Sequence, residues 1–319
     1  MRVNTTSPFS LLAGFLSVFL TGSLMFDANS VTAQSKTQKE LITSGITKAK
    51  LGDYKQALKD FDNAILLDTS EAEPYYNRGI VRSELKDYGG AIADFSRVIN
   101  MKPAHAEPYF NRGLVRDLIL DHAGAIRDYN KALALKPDYP EAWHNMGLAY
   151  FDMNNYAEAV KDFTRALQSA PVFPEAYYNR GLSYFNLQDM NRAIEDFDKA
   201  IQYDSLQSEY YSSRGAAQAA AGFYEKALLD FSTALNINSA DIPTRMNKAL
   251  ALMYLKKYSD AIEEYNLVLQ INPGDVECLM QRGVARHFLG DKTGACNDWT
   301  LASERGSEKA GSYKVKFCQ

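Results

Sequence analysis

An all-α solenoid of eight 34-residue helix-turn-helix repeats, closed by a C-terminal capping helix, is the fold this sequence predicts, on three observations. Alanines 57, 91, 125, 159, 193, 227, 261 and 295 stand 34 residues apart with no insertion. Twelve residues before each stand Gly45, Gly79, Gly113, Gly147, Gly181, Gly215, Ala249 and Gly283. Four residues after each come Phe61, Phe95, Tyr129, Phe163, Phe197, Phe231, Tyr265 and Trp299. A register held eight times marks units that bury their apolar faces against one another.

Within each repeat the first helix carries the small residue and the second carries alanine and the ring. Ala64, Val98, Ala132, Ala166, Ala200, Ala234, Val268 and Ala302 follow three residues after the ring. They complete an i, i+4, i+7 stripe, which suits one helix face. Pro103, Pro137, Pro171 and Pro273 fall eight residues after the ring, where they end the second helix. Small residues at the crossing let the two backbones approach, and the ring fills the wedge beside them.

A 34-residue repeat with small residues at positions 8, 20 and 27 and an aromatic at 24 resembles the tetratricopeptide repeat. The resemblance covers residues 38–307 as eight consecutive repeats, beginning at 38, 72, 106, 140, 174, 208, 242 and 276. The departures are Ala249 for Gly, and Thr69, Ser205, Ser239 and Ser307 for the closing Pro. The resemblance implies a right-handed superhelix whose first helices line a concave surface. It also implies a non-catalytic scaffold whose partner is a protein or peptide.

Residues 308–319 follow Ser307, a candidate N-cap. Ala310, Tyr313 and Phe317 lie on one side of this segment, as a helix covering the open face of the last repeat requires. The stretch from Gly294 to Cys318 also resembles the closing segments of secreted repeat proteins from Gram-negative bacteria.

The N-terminus reads as a targeting segment. No charge lies between Arg2 and Asp27, and Phe9 to Leu20 is an apolar run of twelve followed by Thr21, Gly22 and Ser23. Those are signal-peptide proportions, and Val31-Thr32-Ala33 places small residues before a cleavage that would leave Gln34 first. The organisation is then a signal peptide over 1–33, a linker over 34–37, repeats over 38–307 and a cap over 308–319. The alternative is an uncleaved membrane anchor. Export places the chain in the periplasm or outside the cell.

A net charge of −4 offers no basic field for phosphate, so nucleic acid is not an expected partner. The sequence holds no HExxH, no phosphate loop and no nucleophile elbow. His105, His122, His144 and His287 occupy different repeat positions, so neither an enzyme nor a metal or other cofactor is expected. Of three cysteines, Cys296 in the last repeat and Cys318 in the cap could join in an oxidising compartment. The alternative is three buried thiols, and Cys278 stays reduced in either case.

At 100° per residue, position 6 of the first helix lies about 160° from the packed position 8 and is expected to face outward. It holds Asn77, Asn111, Asn145, Asn179 and Asn247, with Thr43, Ser213 and Gln281 in the other repeats. Asparagines here resemble the ladder with which O-linked N-acetylglucosamine transferases hold extended peptides, since one amide both donates and accepts. The competing reading is a polar helix face inherited by duplication. Beside the ladder, Tyr76, Phe110, His144 and Tyr178 at position 5, and Ile80, Leu114, Leu148 and Leu182 at position 9, line a groove or pack one repeat on the next.

Glu73, Glu107, Glu141, Glu175, Glu209 and Glu277 at position 2 complement the helix dipole. Arg78, Arg112, Arg180, Arg214, Arg282 and Lys248 at position 7 recur with an acid at position 23, from Asp60 through Asp298, as ion pairs of the scaffold. Whether these pairs lie within or between repeats is open. Two functions follow: a scaffold binding an extended segment along the concave face, or a structural subunit of an envelope assembly using convex or end surfaces.

Overall fold

A computed structural model describes residues 30–318, and all regular structure among them is helical. In chain order, α1 (Ser30–Lys50) and α2 (Tyr54–Leu67) form repeat one, α3 (Ala72–Glu84) and α4 (Tyr88–Met101) repeat two, and α5 (Ala106–Leu118) and α6 (His122–Leu135) repeat three. Repeat four is α7 (Pro140–Asp152) with α8 (Tyr156–Ser169), and repeat five is α9 (Pro174–Asn186) with α10 (Met190–Tyr203). Repeat six is α11 (Ser208–Ala220) with α12 (Tyr224–Ile237), and repeat seven is α13 (Ile242–Tyr254) with α14 (Tyr258–Ile271). Repeat eight is α15 (Val276–Leu289) with α16 (Lys292–Glu304), and α17 (Glu308–Phe317) follows it. The chain divides into two compact halves between Ser169 and Ala170. The N-terminal half holds repeats one to four, the C-terminal half repeats five to eight and α17.

The crossing works as the small residues predict. The position-20 alanines and the position-24 rings are buried in every repeat. A Cβ at Gly147 would stand 2.8 Å from the Phe163 ring, and one at Gly283 2.5 Å from the Trp299 indole. The ring therefore occupies the volume a side chain at position 8 would need. Each such ring contributes about 2 to 3 kcal/mol by burial alone. Repeat seven admits a methyl at Ala249, itself buried, beside Tyr265.

The turn between the two helices is also periodic. Position 15 is left-handed in all eight repeats: Gly52, Gly222 and Gly290, and also Lys86, Leu120, Asn154, Gln188 and Lys256. Position 16 then caps the second helix, with the carboxylates of Asp53, Asp87, Asp121, Asp189 and Asp291 accepting from the backbone N–H three residues on. Such caps stabilise a helix by about 1 kcal/mol each.

The C-terminal helix closes the last repeat. The Ser307 side chain accepts from Ala310 N at 3.2 Å, and Ala310 is buried. Tyr313 and Phe317 pack on Trp299 with ring centroids 5.3 and 5.7 Å apart. Cys296 and Cys318 form a disulfide, Cα to Cα 5.7 Å, which ties α17 to α16. Cys278 is a buried reduced thiol whose Sγ lies 3.4 Å from the Tyr265 carbonyl oxygen. Burial first, then nearby Asp275, pushes that thiol up to about 12, so it stays protonated and inert.

The predicted signal peptide lies, up to residue 29, outside the described residues. Helix α1 begins at Ser30 and runs unbroken through positions 34–37, where the sequence reading puts a linker. That tetrapeptide, Gln-Ser-Lys-Thr, holds neither Gly nor Pro to stop a helix. Among the described residues no helix is long and apolar enough to cross a membrane.

Candidate functional site

The position-6 amides do not face solvent. Asn77, Asn111 and Asn145 are each 5% exposed and Asn179 is 6% exposed, while Asn247 is half-buried. Asn77 Nδ2 donates to the Glu73 carbonyl at 3.0 Å and Asn145 Nδ2 to the Glu141 carbonyl at 2.7 Å. Asn111 Nδ2 instead donates to Tyr76 Oη of the preceding repeat at 2.7 Å. This corrects the expectation that position 6 faces outward. A helical wheel assumes one buried side, whereas a first helix in a stack is covered both by its own second helix and by its neighbours.

The apolar residues beside these amides divide. Tyr76, Phe110, Tyr178 and Leu114 are buried, and the rings meet those at position 24: Tyr76 on Phe95 at 5.9 Å, Phe110 on Tyr129 at 5.9 Å, Tyr178 on Phe197 at 5.7 Å. Phe110 also meets Tyr139, the residue before α7, at 4.8 Å, and Tyr178 meets Tyr210 of the next repeat at 4.8 Å, so the latter ring joins successive repeats. Burial, helped by the Glu209 charge, pushes the Tyr178 phenol up to about 12 although the Ser213 hydroxyl opposes it. Leu148 and Leu182 keep part of their surface open. So do Glu73, Glu107 and Glu141, and Glu175, Glu209 and Glu277 are exposed.

The ion pairs lie both within and between repeats. Arg78, Arg112, Arg180, Arg214 and Arg282 each grip the position-23 aspartate of their own repeat through Nε and Nη2, at 2.6 to 2.9 Å. The remaining Nη1 reaches back to position 25 of the preceding repeat: Asp62 from Arg78, Ser96 from Arg112, Asp198 from Arg214 and Asn266 from Arg282. The planar guanidinium fork is what allows one side chain to serve two helices. Arg82, Arg116 and Arg286 at position 11 add a second cation to Asp94, Asp128 and Asp298.

Two carboxyls depart from this pattern. Asp117 accepts from Tyr129 Oη at 2.7 Å and lies 3.1 Å from His122 Nδ1. Burial outweighs both partners and pushes it up to about 6. Asp162 is the sharper case: at position 7 its repeat has Met146 in place of Arg, and at position 11 Tyr150. The sequence carried that signal, since Met146 is missing from the basic series while Asp162 remains in the acidic one. No group of three or more His, Cys, Asp or Glu side chains gathers as a metal site among the described residues.

Tetratricopeptide repeat models match residues 43–106, 144–208 and 242–275, and a further model of the same repeat matches 121–154. Together they take in more than half of the sequence. The chain belongs to the tetratricopeptide repeat family. Solved tetratricopeptide structures share its fold at low identity. YrrB, described as a TPR protein with an unusual peptide-binding site, has TM-score 0.51 and 20% identity, over 58% of this chain and 95% of that one. PilW, a widely conserved type IV pilus biogenesis factor, has TM-score 0.58 and 20% identity, over 68% and 98%. The pilF protein of Pseudomonas aeruginosa has TM-score 0.58 and 14% identity, over 67% and 97%. No curated protein matches the sequence.

Proposed function

We propose that this tetratricopeptide protein is an exported, non-catalytic scaffold that holds an extended protein segment along the concave face formed by its first helices. The observation that carries the reading is the unbroken 34-residue register, which repeats the same side chains at a constant spacing. A surface periodic in one direction matches a ligand that is itself an extended chain. The peptide-binding site named for YrrB and the pilus role named for PilW agree with it.

In the N-terminal half the partly open Leu148 with Glu73, Glu107 and Glu141 makes the direct contacts, and in the C-terminal half Leu182 with Glu175, Glu209 and Glu277. Of the position-6 asparagines Asn77, Asn111, Asn145, Asn179 and Asn247, Asn77 and Asn145 already commit one amide N–H within the helix. The aromatic residues of the predicted groove, Tyr76, Phe110 and Tyr178, are buried, and Tyr76 accepts a hydrogen bond from Asn111. Export rests on the N-terminal segment, and cleavage after Ala33 would remove the first four residues of α1. The mature chain is then expected to begin at Gln34, which N-terminal sequencing of the protein from cell fractions checks.

Photo-crosslinkers placed at Leu182 on a first helix and at Lys161 on a second helix test the face. The scaffold reading expects adducts in living cells from position 182 and none from 161. Adducts from 161 alone would instead favour a structural subunit of an envelope assembly that uses convex or end surfaces. With a peptide recovered this way, Leu182→Ala should weaken binding about tenfold by calorimetry. Equal affinity would remove the groove from the site.

A further inference from the structure

The position-23 carboxylates are buried, Glu264 only partly, and seven of the eight have a cationic side chain against them. Arg78, Arg112, Arg180, Arg214 and Arg282 serve Asp94, Asp128, Asp196, Asp230 and Asp298. Lys48 serves Asp60 at 2.6 Å, and Lys248 with Arg245 serves Glu264 at 2.8 and 3.0 Å. The eighth, Asp162, is 7% exposed, and its Oδ2 is enclosed without a hydrogen-bond partner. Met146, 4% exposed, stands where the guanidinium would come from.

We propose that the α7–α8 pair is a proton-sensitive element of this chain: the Asp162 carboxyl holds a proton in the folded repeat, and releasing that proton to solvent loosens the pair. An ionised carboxylate enclosed without a counter-ion costs far more than the neutral acid in the same place. The groups around it do not repair the deficit. Glu158 and Lys161, on its own helix, pair with each other at 2.6 Å, and that lysine side chain is 67% exposed. Tyr150 is the titratable neighbour on α7 and carries no positive charge. Burial first, then the Glu158 charge, pushes the Asp162 carboxyl up to about 7, against a smaller opposing pull from Lys161.

The sign follows from linkage. In the unfolded chain this aspartate titrates near the ordinary value of about 3.9. Between that value and about 7 the folded repeat therefore binds more protons than the unfolded one. Stability from this residue is full in acid and falls as pH rises, by at most about tenfold in the opening equilibrium per pH unit. A guanidinium opposes that shift directly, as Arg180 does at Asp196, where burial still raises the carboxyl, and at Asp162 no guanidinium does so.

Hydrogen exchange of the full chain, resolved by peptide and corrected for intrinsic rates, at about pH 5.5 and about pH 8, tests the proposal. Protection in α7 and α8 should fall about tenfold or more relative to α15 and α16, where Asp298 has two guanidinium partners. Asp162→Asn keeps the shape and removes the proton, so protection should become as independent of pH as in α15 and α16. Met146→Arg supplies the missing cation by a different route and should restore protection at the higher pH. An equal pH response of the two helix pairs, or a loss that survives in Asp162→Asn, would overturn the proposal.

Discussion

Repeats three and four differ by little in backbone and by much in charge. Asp128 and Asp162 occupy the same register position 34 residues apart, both buried, each directly before a fully buried ring. Asp128 is held by Arg112 and Arg116, both at 2.7 Å, whereas Asp162 has Met146 and Tyr150 at the corresponding places. The fold is the same because positions 8, 20 and 24 decide how the helices cross, and neither repeat departs there. Buried electrostatics in this scaffold therefore varies from repeat to repeat without disturbing the stack.

The strongest way to break that contrast is to write repeat four into repeat three. Arg112→Met with Arg116→Tyr leaves Asp128 enclosed without a cation, and should cost about 3 to 5 kcal/mol in urea unfolding at about pH 8. The loss should shrink in mild acid, as Asp128 takes up a proton in its turn. A cost below about 1 kcal/mol at the higher pH would mean that the guanidinium clamps add little to the stack.

Repeat eight has the paired aspartate of repeat three and a covalent tie besides. Reduction of the Cys296–Cys318 bond, which closes a 22-residue separation, is expected to lower stability by about 3 kcal/mol with α17 opening first. Urea unfolding with and without reductant measures it. Ala159→Leu probes the feature the repeats share. Three added carbons at a fully buried crossing should cost about 1 to 3 kcal/mol, while Lys161→Ala should stay within about 0.5. If both variants unfold like the parent, position 20 is not the crossing point.

The smallest effect concerns the turns. Leu120 sits at φ 63°, where repeats one, six and eight have glycine. Leu120→Gly relieves the Cβ strain but adds unfolded-chain entropy, and the net gain should be about 0.5 to 1 kcal/mol. The difference in unfolding midpoint from the parent reads it.

The architecture was legible because its determinants are small residues and rings at fixed spacing, and each position is buried for the reason its size suggests. Gly147 against Phe163 is such a case. The pairing of Arg with Asp was legible too, but the third guanidinium nitrogen reaching the preceding repeat was not, because Asp62, Ser96, Asp198 and Asn266 share a position and no single residue type. The face of the asparagines was misjudged for a geometric reason. One helix in isolation has an outside, and a helix between two others has much less of one. Asn111 donating to Tyr76 is the contact that a single repeat could not reveal.

The guanidinium staples also set how the stack would carry a mechanical load. In the C-terminal half, Arg214 fastens repeat six to repeat five through Asp198, and Arg282 fastens repeat eight to repeat seven through Asn266. At the joint between repeats six and seven the corresponding residue is Lys248, whose single ammonium is spent on Glu264 of its own repeat. A compact point charge cannot hold two helices at once. Arg245 takes its place, donating through Nη1 to Glu264 and through Nη2 to the Ser239 carbonyl of repeat six, so a pull on that half meets a guanidinium at each of its joints.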